Sequence, residues 1–111
     1  MVKNEGIYID GVTNTVDTEY DLINVGAVQF IVLSNLTVVN RGVSEAKVTV
    51  SVSSVTGTMD DDRMYAYECP INGDGVPVTL LTNLLIKSNL FLVVKSDSSS
   101  VNFVVDYKEM E

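Results

Sequence analysis

The chain has 111 residues, seven basic side chains against fifteen acidic ones, a net charge of −8, no histidine and one cysteine. With 46% hydrophobic and 20% charged residues it is too apolar to stay disordered, and surface scaling lets a single domain of this mass bury about two-thirds of its extended-chain area. The missing histidine removes the commonest general base and metal ligand, the lone Cys69 excludes an internal disulfide or a zinc-binding cysteine cluster, and the negative charge disfavours nucleic acid and anionic membranes.

In chain order, MVKNEGIYIDGVTN holds no apolar run of the length a signal peptide needs. Its triplet Ile7-Tyr8-Ile9 lies between Gly6 and Gly11 and is too short to make a core element alone. Residues 1–14 therefore read as an N-terminal arm whose Ile7, Tyr8 and Ile9 bind a neighbouring subunit or another protein. The alternatives are a disordered tail or a strand that pairs within the same domain. Residues 15–111 read as one β domain.

Period-2 alternation dominates that domain. Lys47-Val48-Thr49-Val50-Ser51-Val52-Ser53 places its valines on one face and its lysine, threonine and serines on the other, the pattern of a half-buried strand. Val101 to Lys108 repeats it, with Val101, Phe103, Val105 and Tyr107 inward. Further strands are predicted at about 15–22, 27–40, 63–71, 76–82 and 89–97, each rich in β-branched or aromatic residues. Between them stand turn-forming groups: Asn24-Val25-Gly26, Asn40-Arg41-Gly42, Gly57 to Asp60, Asn72-Gly73-Asp74-Gly75 and Asp97 to Ser100. Seven to eight short strands without a helical crossover predict an all-β fold, an antiparallel β-sandwich or jelly roll, with Leu36, Val38, Val48, Val50, Val52, Val101, Phe103 and Val105 in one core. Pro70 ends one strand and Pro77 stands at the start of the next, where a missing amide donor is tolerated.

Few constellations carry chemistry. Asp60-Asp61-Asp62 offers carboxylates for a hard cation but lacks the spacing of a calcium loop and reads as a solvated turn. Asn72 to Gly75 lacks the lysine of a phosphate loop and precedes a strand, not a helix. Cys69, between Glu68 and Pro70, has no base to activate it and reads as structural. Asn35-Leu36-Thr37 matches a glycosylation sequon inside an apolar strand and reads as strand. Tyr65 and Tyr67 share a strand face and are the candidate surface contact; the competing readings are a stacking platform for sugar or peptide, or packing in a core or subunit boundary. The reading is of a non-enzyme without catalytic residues, metal or cofactor.

The order of these features, a short strand ending near Tyr20-Asp21-Leu22, a long strand from Gln29 to Asn40, the valine ladder at 47–53, the Arg63-Met64-Tyr65 strand, the apolar Leu80 to Ile86 segment and Leu92 to Ser98 leading into a last alternating strand, resembles small β-sandwich virion proteins of tailed bacteriophages. The resemblance covers about four-fifths of the chain and rests on pattern; Asn24-Val25-Gly26 stands where that family has a Pro-Ala-Gly turn. It implies a virion structural protein that decorates or cements the capsid surface, most often as a homotrimer, with the major capsid protein or another virion protein as partner. The alternative is a domain of the tail, neck or baseplate, fibre-associated or adhesin-like.

Overall fold

The computed structural model describes the backbone of residues 2–10 and, in full, residues 16–110. Among them eight strands form: β1 (Val2–Asp10), β2 (Tyr20–Asn24), β3 (Phe30–Asn40), β4 (Ala46–Ser53), β5 (Met64–Ile71), β6 (Val78–Lys87), β7 (Phe91–Ser96) and β8 (Val101–Met110), with a single 3-10 turn at Asp61–Arg63. They make two four-stranded antiparallel sheets, sheet I in the order β1-β8-β3-β6 and sheet II in the order β2-β7-β4-β5. The chain changes sheet at every connection except β4 to β5, so the sandwich is an eight-stranded jelly roll.

The core lies between the sheets and is built by the alternation read above. Leu36, Val38, Val48, Val50, Val52, Val101, Phe103 and Val105 are all buried, joined by Ile31, Leu33, Ile71, Ile86, Leu92 and Val94. Tyr20 of sheet II meets Phe103 of sheet I edge to face, with centroids 6.4 Å apart at 75°. On β3 a strict period of two cannot bury both Leu33 and Leu36. A bulge against β8 between Leu33 and Asn35 shifts the register by one residue and turns both leucines inward. The accessible surface, 5963 Å², matches the roughly 6,000 Å² expected for a compact domain of this mass.

Three expectations need correction. Within the expected arm, Val2–Asp10 takes the alternative of a strand that pairs within the same domain: it is the edge strand of sheet I, antiparallel to β8 from Val2 opposite Met110 to Asp10 opposite Phe103. Three apolar residues between glycines are too few for a core of their own, but a strand that extends an existing sheet needs only the free backbone groups of its neighbour. The remainder of the expected arm, position 1 and positions 11–14, lies outside the described residues, as do the side chains of Ile7, Tyr8 and Ile9. Second, β6 continues to Lys87 instead of ending near 82, because Ile86 pairs with Ile31 and joins the core. Third, the polar face of β4 is not solvated: Thr49, Ser51 and Ser53 are buried.

Thr49 is met by the Glu68 N–H of β5, while Ser51 and Ser53 bond the segment between β4 and β5, which folds back over the outside of sheet II. The Ser51 hydroxyl donates to the Asp60 carbonyl (3.0 Å) and accepts from the Asp60 N–H (2.9 Å). On the other side of β7, Asp21 accepts from the Gly57 N–H (2.8 Å) and the Thr56 hydroxyl, and Glu19 accepts from the Met59 N–H (2.5 Å). Asp21, Val93 and Ser51 form one row across the sheet. The segment is therefore tied down on both sides of Val93, an outward-pointing valine that is fully buried.

Candidate interaction surface

The edge strands β5 and β6 of the two sheets lie against each other along one flank of the sandwich, and β1 and β2 are the opposite edges. The two candidate surfaces read from the sequence thus fall on different flanks, Ile7, Tyr8 and Ile9 on β1 and Tyr65 and Tyr67 on β5. In register, Ile7 stands opposite Asp106, Tyr8 opposite Val105 and Ile9 opposite Val104.

On β5 Tyr65 and Tyr67 turn outward, 47% and 70% exposed, while Ala66 and, beyond a shift of register, Cys69 both pack against the core. Packing of the two tyrosines inside their own core is thereby ruled out. Glu68, with φ 46°, interrupts the ladder between Val48 and Val50 and donates its N–H to the Thr49 hydroxyl (3.1 Å). Beside Tyr65 a groove of about 400 Å³ is lined by Val52, Arg63, Leu85, Lys87, Ser88 and Leu90. Leu85 is 52% exposed. The groove thus combines apolar walls with two of the chain's seven basic residues. Sequence reasoning singled out the tyrosines and missed Arg63, Leu85 and Lys87, since only the jelly-roll order brings β6 beside β5.

The two strands of this flank protect their edges unequally. β5 carries the irregularity at Glu68 and, next to its end, Pro70, both of which hinder pairing with a further strand. The ten residues of β6, VTLLTNLLIK, contain no proline or acid, and their single charge is Lys87 at the end. It has irregularities of its own, Asn83 with φ 54° and a shift of register at Leu80, opposite the step from Leu36 to Thr37.

A second cleft, about 370 Å³, opens at one end of the sandwich among Gly42, Val43, Ser44, Glu45, Asp97, Ser98 and Ser100. Its floor is a knot around the fully buried Asn40. The Asn40 Nδ2 donates to the carbonyls of Ser44 (2.8 Å) and Ile71 (3.0 Å), while Oδ1 accepts from the Gly42 N–H (3.0 Å) and the Ser100 hydroxyl (2.8 Å). All four bonding positions of the amide are filled from within the chain, so it binds loops together and has none left for a ligand. Gly73 lets the 72–75 turn lie against this knot: a Cβ there would meet the backbone of Gly42, Val43 and Ser44 at 2.7–2.8 Å. The knot escaped sequence reasoning, which saw Asn40 only as the end of a strand and the start of a turn.

The remaining candidates are structural in place. Asp60 caps the 3-10 turn by accepting from the Asp62 N–H (2.9 Å) and faces Arg63 across 3.8 Å. Among the described residues no three acidic, cysteine or histidine side chains converge to hold a metal ion, and no helix is long and apolar enough to cross a membrane. Cys69 is a half-buried free thiol packed on the core.

No protein-family model and no curated protein matches the chain. Solved structures similar to it include two crystal structures of a pentameric capsid protein isolated from metagenomic phage sequences. Each is 17% identical over 93% of this chain, with a TM-score of 0.46. The chain spans 64% and 60% of the lengths of those two proteins.

Proposed function

We propose that the chain is a non-enzymatic structural protein of a tailed-phage virion, which decorates or cements the capsid surface through protein–protein contacts. The observation that supports this most is the β5/β6 flank, where exposed Tyr65 and Leu85 line one groove and exposed Tyr67 follows on the same face of β5. Exposed aromatic and aliphatic side chains grouped around a groove are what a protein contact uses, and rigid strands hold them in place. A histidine-free chain whose one thiol has no activating base supplies neither of the commonest nucleophile–base pairs, which accords with a binding role. The virion assignment itself comes from the sequence resemblance, which also carries homo-oligomerisation with three copies as the expected number.

Quantitative mass spectrometry of purified particles tests the reading. Capsid decoration requires the chain at hundreds of copies per particle. A few to dozens of copies would place it on the tail, neck or baseplate, and its absence from particles would overturn the virion role.

A further inference from the structure

We propose that copies of this chain join flank to flank, the β6 edge of one copy taking the β1 edge of the next so that sheet I continues antiparallel across the boundary. The proposal deepens the multi-copy reading above by naming the surface involved. Directions in sheet I alternate from β1 through β8 and β3 to β6, so β1 and β6 run oppositely. A copy set beside the first in the same orientation therefore offers its β1 to β6 in the antiparallel sense that the sheet already uses. The strands are matched in length, nine residues against ten.

They are also level. Val2, Met110, Phe30 and Lys87 form one row across the sheet, Glu5, Lys108, Val32 and Leu85 the next well-defined one, and Asp10, Phe103, Val38 and Val78 a row near the far end. Side-by-side placement thus brings Glu5 of the next copy level with Leu85 and diagonal to Lys87, a spacing at which opposite charges on a sheet attract.

Charge selects this pairing over two copies of one edge. The strand β1 carries Lys3 against Glu5 and Asp10, which is 1 − 2 = −1, with Glu19 and Asp21 on and beside β2 behind it, whereas β6 carries Lys87 alone, +1. Two β1/β2 flanks repel each other. On the β5/β6 flank Arg63 already faces Asp60, and Lys87 beside the groove is the cation that meets the acidic edge of a neighbour. Unlike flanks in contact make a head-to-tail interface, and such interfaces close into rings when the rotation between copies allows.

Sedimentation of purified protein tests this independently of the virion role, which particle abundance reads. Wild type is expected to associate, and Leu85→Glu, which sets a carboxylate level with the neighbour's Glu5, to weaken association at least tenfold with an unchanged circular dichroism spectrum. Lys87→Glu and Glu5→Lys each weaken it severalfold alone, and an equimolar mixture of the two associates more strongly than either, because every boundary between unlike variants regains an opposite pair. Monomeric wild type at all concentrations overturns the proposal, as does Glu5→Lys protein that associates like wild type, the result expected if β6 paired with β6. A mixture no better than its components also overturns it.

Discussion

On the outside of sheet II, Thr49, Ser51, Ser53 and Val93 are buried, while on the outside of sheet I Asn35, Leu85 and Asp106 are exposed and Val32 and Val104 half-buried. Both sheets bury an inner face of the same valine-rich kind, and their strands alternate with the same period. The difference lies in one connection. The 54–63 segment crosses sheet II and is tied to β4 at Ser51 and to the β2 side at Glu19 and Asp21, whereas the described connections of sheet I turn at its ends. The comparison shows that alternation reports which side chains share a face and says nothing about whether the second face meets water or another segment. It also sets apart the outer face of sheet I, on which Leu85 is left exposed.

The sharpest way to break the comparison is to put one charge on each outer face. Val93→Asp buries an unpaired carboxylate beneath the 54–63 segment and is expected to cost about 4 kcal/mol or more, while Val104→Asp, on the open face, is expected to cost less than about 1 kcal/mol. Urea unfolding of the two variants measures the gap, and equal losses would mean that the two faces are equivalent. Ser51→Ala removes both bonds to Asp60 and leaves its N–H without that acceptor, for an expected loss of about 1–3 kcal/mol. Hydrogen exchange should localise the damage to 54–63, with the core strands still protected.

Glu19→Ala loosens the same segment from its other side through the Met59 N–H and is expected to cost about 1 kcal/mol, again with faster exchange at 57–60. Asp61→Ala, an exposed residue of the 3-10 turn, serves as the control and should stay within about 0.5 kcal/mol of wild type. A larger effect there would show that the acidic run holds more than a solvated turn.

Much of the fold is legible along the chain. Val48, Val50 and Val52 announce an inner face, Val101, Phe103 and Val105 another, and the turn groups around Gly26, Gly42 and Gly73 fall between strands. The surface is less legible. Tyr65 and Tyr67 stand out because their spacing and type are local facts, but the groove beside them needs Leu85 and Lys87, brought there by a strand order with no local signature. The bulge that turns both Leu33 and Leu36 inward is equally silent, because it exists only against β8.

The sequence by itself determined an all-β domain, its main core residues, its acidity and its lack of histidine chemistry, since each follows from composition or from a period of two. Only the tertiary structure decided that Val2–Asp10 completes sheet I, that 54–63 roofs sheet II, and that Asn40 knots three loops. Each depends on partners far apart in the chain, 40 residues for Glu19 and Met59, 31 for Asn40 and Ile71 and 60 for Asn40 and Ser100. A backbone N–H or an amide side chain can bond any acceptor brought within reach, so its partner is settled by how the strands are laid side by side and not by its neighbours in the chain.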